Sequence, residues 1–128
     1  MKIQFESSTA CNAQCNFCPR SSMKRRGGVM SDKLFHKIIQ DGKRIKNSYF
    51  VPFLNGEPFV FPKIWECLDY MEKENVLVLL VTNAERIDVE RLSKYKNILC
   101  VYCSVNAATK KTYKKVVGLD FDKVKKNV

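Results

Sequence analysis

Histidine is nearly missing from this chain of 128 residues, and His36 is the single one. That tells against the zinc sites in which CxxC knuckles are joined by downstream histidines. Long apolar runs are missing too. The longest aliphatic stretch, Val76 to Val81, is strand-sized and far short of a membrane span. Five glycines and four prolines, scattered along the chain, make no linker, and there is no repeat or low-complexity tract. Acidic residues are short: 13 Asp and Glu stand against 23 Lys and Arg, for a net charge of +10. Such a balance can favour nucleic acid or anionic partners. No nucleic-acid motif and no interleaving of basic and aromatic residues accompanies it, so it reads as solvated lysine-rich helix faces with a local cluster at Lys24-Arg25-Arg26. The opening residues Lys2-Ile-Gln-Phe-Glu6 read as a strand and not as a signal peptide, which predicts a cytoplasmic protein with no membrane partner. In that compartment six cysteines are thiols or metal ligands instead of disulfides.

Three of those cysteines are packed into Cys11-Asn-Ala-Gln-Cys15-Asn-Phe17-Cys18, a Cx3Cx2C pattern with an aromatic residue just before the third. Iron–sulfur clusters are held by thiolates, and a four-iron cluster ordinarily takes four. Three ligands leave one iron open to a small molecule. A three-cysteine zinc site or a redox-active thiol cluster uses the same residue type. A simple electron-transfer protein would want a fourth cysteine near the loop, and none is there.

Read for periodicity, the chain alternates strands and helices. Lys2 to Ser7 is a predicted strand, and Arg20 to Met30 a polar loop. Ser31 is a good N-cap for an amphipathic helix over Asp32 to Lys46, with Leu34, Phe35, Ile38, Ile39 and Ile45 at helical spacing. Ser48 to Leu54 is aromatic and β-branched, a second strand in which Pro52 is an awkward member. Pro62 suits the first turn of a helix whose buried stripe is Ile64, Trp65, Leu68 and Met71. Val76 to Thr82 is a third strand, expected to be covered on both faces. A short helix over Asp88 to Leu92, a strand over Ile98 to Val105, a helical turn from Thr109 and a last helix from Phe121 complete the pattern. Repeated strand–loop–helix units imply an α/β fold with parallel strands and right-handed crossovers, its site at the carboxyl ends of the strands. The unusual polar segments all follow strands: the cysteine loop, Asn55-Gly56-Glu57-Pro58, Thr82-Asn83-Ala84 and Ser104-Val105-Asn106.

The cysteine spacing with its aromatic resembles the signature of the radical S-adenosylmethionine (radical SAM) superfamily, and the likeness extends to the later segments. Asn55-Gly56-Glu57-Pro58 is similar to that family's GGEP motif with the first glycine replaced, and Thr82-Asn83-Ala84 to its TNG segment with the last position altered. The resemblance implies a partial (βα) barrel, with about four of the usual six βα units present in residues 1–128, so that the chain is expected to be the N-terminal portion of a longer protein. It implies a [4Fe-4S] cluster on Cys11, Cys15 and Cys18, with S-adenosylmethionine (SAM) chelating the open iron. Phe17 would lie beside the adenine, Gly56 and Glu57 would receive the SAM amine, and Ser104 and Asn106 would face the ribose and the methionine end. Relatives often carry an arginine shortly before the glycine corresponding to Gly118; Val116-Val117 stand here, leaving Arg20 or the Lys24-Arg25-Arg26 cluster as replacements. The implied reaction is reductive cleavage of SAM to a 5′-deoxyadenosyl radical, fed by a reductant such as flavodoxin or ferredoxin. Cys18-Pro19-Arg20 and the later Gly-x-Met look most like members with a cysteine-rich C-terminal extension, many of which modify peptides or proteins.

Against this stands a non-catalytic module, in which a three-cysteine loop holds zinc or a degenerate cluster and the basic surface binds RNA or an acidic partner. Cys100 and Cys103 spell CxxC, but three residues apart on a strand they point to opposite faces, and with Cys67 they read as small apolar residues. His36 reads as surface or packing.

Overall fold

A computed structural model describes residues 1–24 and 27–128. Four parallel strands, β1 (Lys2–Gln4), β2 (Tyr49–Val51), β3 (Leu77–Thr82) and β4 (Ile98–Cys103), lie side by side in chain order. Five helices connect or follow them: α1 (Asp32–Gly42), α2 (Ile64–Lys73), α3 (Val89–Leu92), α4 (Lys110–Val116) and α5 (Phe121–Asn127). This is the α/β architecture with parallel strands that strand–helix alternation predicts.

Sequence sets the element boundaries through caps. The Ser31 side chain accepts from the Leu34 backbone N–H at 3.3 Å and starts α1, while Asp88, Thr109 and Asp120 do the same for α3, α4 and α5. The first helix ends at Gly42, four residues before the predicted end, and leaves Ile45 on the surface. A Cβ on Gly42 would stand 2.7–2.8 Å from the Ile3 and Phe50 side chains, so the helix closes onto the sheet at this point. The predicted strand over residues 48–54 shrinks to Tyr49–Val51 because Pro52 has no N–H to give. Its carbonyl still works, accepting from Ser7 N at 3.0 Å and Ser7 Oγ at 2.8 Å, and this carries the first strand's pairing past its regular end. Pro62 does not open α2, which begins at Ile64; Pro58 instead opens a single 3-10 turn over Pro58–Val60.

Alternation decides which residues are core. Phe50, Val78 and Leu80 turn one face of the sheet toward Phe35 and Ile39 of α1 and Leu68 and Met71 of α2, and all of these are buried. Trp65 is only half-buried, stacked on Tyr95 with the Arg91 guanidinium 4.2 Å above its ring. A second, smaller apolar cluster of Ala13, Ala84, Tyr113, Val117, Leu119 and Val124 lies under the cysteine loop.

The expectation that the third strand is covered on both faces is not met. Leu77 and Val81 are 44% and 45% exposed, and Tyr102, opposite Val81 in register, is 58% exposed. The helices cover one side only, so period-2 burial reappears in a sequence whose residues are apolar on both sides. Among the described residues no helix is long and apolar enough to cross a membrane.

Candidate functional site

The segments that follow the strands meet at one cleft of about 290 Å³. Cys11, Cys15, Phe17 and Cys18 form one wall, Asn55-Gly56-Glu57 the next, Thr82 and Asn83 a third, and Ser104 with Asn106 the last. The parallel sheet explains the meeting, since every strand delivers its C-terminal loop to the same edge. All eight side chains or glycines predicted for the site line this cleft. Gln4, whose amide donates to the Phe53 carbonyl at 3.1 Å, lines it as well.

The cysteine loop is tightly wound and strapped down on three sides. The Cys18 N–H donates to the Cys15 carbonyl at 3.1 Å, and the Arg20 guanidinium donates to the Ala13 carbonyl at 2.7 Å. Arg20 is thereby engaged with the loop's own backbone. Of the basic cluster, Arg25 and Arg26 lie outside the described residues. From α4, the Val116 and Val117 carbonyls accept from the Asn16 and Gln14 N–H groups, each at 3.0 Å. Gly118 (φ +82°) follows, and a Cβ there would come within 3.4 Å of the Gln14 Cβ.

A polar clamp ties the same loop to the end of β3. Asn12 donates to Glu85 Oε2 at 2.6 Å and accepts from Asn83 Nδ2 at 2.9 Å, while Glu85 Oε1 accepts from the Asp120 N–H at 3.3 Å. Residue spacing gave Asn12 and Glu85 no role; they are 73 residues apart in the chain. Ala84 holds the left-handed turn between them (φ +62°), a conformation that glycine takes more readily.

Burial pushes the Cys11 and Cys15 thiols upward. At Cys15 the neighbouring Cys11 and Cys18 charges add to this; at Cys11 the Ala13 N–H, 3.4 Å from its sulfur, and the Arg20 charge work against it. Metal binding would therefore have to displace protons from this loop. Among the described residues no three His, Cys, Asp or Glu side chains converge as ligands of a single ion would. Cys11, Cys15 and Cys18 nevertheless all line the one cleft, and an iron–sulfur cube, unlike a single ion, would ask each thiolate to take a different iron. Gly56, Ser104 and Asn106 line the same cleft.

Two of the predicted residues also do structural work. Gly56 leaves room for the chain itself: a Cβ there would stand 2.1 Å from the Ser8 carbonyl oxygen and 3.1 Å from that of Ala10. Gly56→Ala is expected to cost about 1–3 kcal/mol by overpacking, read as a fall in the melting temperature of the metal-free protein. Glu57 turns its carboxylate inward. Oε1 accepts from Thr82 Oγ1 at 2.6 Å and Phe59 N at 3.2 Å, and Oε2 from Asn83 N at 2.7 Å. The side chain thus locks the 55–58 segment to the end of β3, and only its edge faces the cleft. Ser104 and Asn106 do share a face, with Asn106 Nδ2 donating to Ser104 Oγ at 2.9 Å.

The remaining candidates stay apart from the cleft. Cys100 pairs in register with Leu79 and Cys103 with Thr82, on opposite faces. Cys67 lies on α2, its thiol pushed up to about 11 by burial. His36 stacks on Tyr70 at 4.0 Å between ring centroids.

Residues 5–128 match the Radical SAM superfamily. With nearly the whole chain covered, the protein belongs to that family, whose members carry a [4Fe-4S] cluster and SAM. Among curated proteins it is 34% identical over 99 residues to mycofactocin maturase MftC of Mycobacterium ulcerans (strain Agy99), covering 77% of this chain and 27% of the relative. Among solved structures it is similar to anSMEcpe with bound AdoMet, at 26% identity and a TM-score of 0.76, covering 98% of this chain and 38% of that one. Streptococcus suis SuiB bound to the precursor peptide SuiA shares the fold, with a TM-score of 0.76 at 24% identity over 95% of this chain and 28% of that one. The chain thus spans about a quarter of the length of the curated relative.

Proposed function

We propose that residues 1–128 form the N-terminal portion of a radical SAM core domain in which Cys11, Cys15 and Cys18 hold a [4Fe-4S] cluster and the facing wall of the cleft holds SAM. The observation that carries this is the meeting of the three-thiol loop with Gly56, Ser104 and Asn106 in one cleft at the carboxyl ends of parallel strands. When bound, the cluster supplies one electron to the sulfonium of SAM, which yields methionine and a 5′-deoxyadenosyl radical for hydrogen abstraction. The chain's own residues position and exclude. Phe17, 58% exposed at the cleft, offers an aromatic face to the adenine. Backbone groups at Gly56 and the side chains of Ser104 and Asn106 offer acceptors to the amine and the ribose. No residue is needed as a general base for the cleavage itself.

A peptide or protein is the proposed substrate class, supported by the likeness to mycofactocin maturase and to a structure holding a precursor peptide. A cytoplasmic flavodoxin or ferredoxin is the proposed reductant. The test is anaerobic reconstitution with iron and sulfide, followed by dithionite and SAM. The expected outcome is a brown protein with about four irons per chain that produces 5′-deoxyadenosine. Zinc retained without colour would instead establish a binding module. A stable cluster that never cleaves SAM would favour electron transfer, or would show that βα units beyond these four are needed for cleavage.

A further inference from the structure

Tyr113 is fully buried, yet its hydroxyl has no hydrogen-bond partner in the structure. A buried phenol ordinarily finds an acceptor, and leaving one unsatisfied costs free energy. The fold brings Cys15 to the same apolar cluster. Val117 N donates to the Tyr113 carbonyl at 2.8 Å, so Tyr113, Val116 and Val117 occupy adjoining turns at the end of α4. The carbonyls of Val116 and Val117 hold the N–H groups on either side of Cys15, which fixes Cys15 against that end of the helix. Cys11 and Cys15 both pack on the apolar cluster to which Tyr113 belongs, and Phe121 closes its ring off at 5.3 Å between centroids. Burial first, and then the charge of Cys15 ahead of those of Glu85 and Glu57, raises the phenol above its ordinary range.

We infer that the Tyr113 hydroxyl donates a hydrogen bond to the Cys15 thiolate when that thiolate ligates iron, making Tyr113 a residue that tunes the cluster. A neutral thiol is a weak acceptor, whereas a metal-bound thiolate carries negative charge and accepts well. Hydrogen bonds to cluster sulfurs favour the more negatively charged reduced state and raise the reduction potential. This role rests on the cluster assignment proposed above.

The experiment compares wild type and Tyr113→Phe by two readouts besides turnover: the melting temperature of the metal-free chain and the midpoint potential of the reconstituted cluster. Removing an orphaned hydroxyl relieves a buried penalty, so the metal-free variant is expected to melt at or above the wild type. The reconstituted variant is expected to show a more negative midpoint. Loss of the cluster from a variant that melts at or above wild type also supports the donation. An unchanged midpoint overturns it. So does a lower metal-free melting temperature accompanied by loss of the cluster, which would assign the hydroxyl to folding. A wild-type chain that never takes up iron fails earlier, at the cluster assignment, and removes this role with it.

Discussion

Cys15→Ala, treated anaerobically with iron and sulfide, is expected to stay colourless, while Cys100→Ala and Cys67→Ala take up iron as the wild type does. The loop's geometry makes the difference. Cys11, Cys15 and Cys18 share the wall of one cleft, and the Cys18 N–H to Cys15 carbonyl bond fixes the last two relative to each other. With one thiolate gone, a cube is held at two corners and two irons are left to solvent and oxygen. Cys100 and Cys103 are directed to opposite sides of β4 and Cys67 belongs to a helix on the covered face, so none can replace the lost ligand. Iron content and visible absorption measure the outcome. A Cys15→Ala protein that binds as much iron as the wild type would remove Cys15 from the ligand set.

Glu57→Ala is expected to destabilise the metal-free protein by about 3–5 kcal/mol, since three donors, two of them buried, lose their acceptor together. Those donors are Thr82 Oγ1 and the backbone N–H groups of Phe59 and Asn83. Chemical denaturation at neutral pH measures the loss, and the pH dependence identifies its source. Burial raises the Glu57 carboxyl above its ordinary 4.5, against the lowering effect of the hydrogen bonds from Thr82, Asn83 and Phe59. A carboxyl raised in the folded state binds its proton more tightly there than in the unfolded chain. Its contribution is therefore complete below 4.5 and is lost as pH rises through its folded value. The difference in stability between wild type and Glu57→Ala should accordingly grow as pH falls from neutral toward 4.5. A difference that shrinks over that interval would show that the carboxylate is held mainly as a charged acceptor.

Both expectations concern the rim, where local reading and tertiary structure divided the work. The cysteine loop was legible because its three cysteines fall within eight residues. The order of strands and helices was legible because period and capping residues are local: Ser31, Asp88, Thr109 and Asp120 each cap the helix that follows. Gly56 was singled out correctly as a position needing closeness, but for a ligand. The Ser8 carbonyl that makes the glycine obligatory lies 48 residues earlier in the chain. Nothing near Glu57 in the chain shows that its carboxylate oxygens are taken up by the end of β3, 25 and 26 residues later. Val76 to Val81 read as doubly buried because every residue in it is apolar; the sheet is covered on one side only, and composition does not say which neighbours are present.

The amino-acid order alone determined the three thiols, the alternation of strands and helices, and the convergence of four loops on the carboxyl edge of a parallel sheet. These depend on residues near one another in the chain and on rules that every parallel sheet obeys. Only the folded structure decided how the cysteine loop is held: Asn12 to Glu85, and Gln14 and Asn16 to the end of α4. Each of these joins segments far apart in sequence, and a hydrogen bond between them depends on atomic positions that no local pattern encodes.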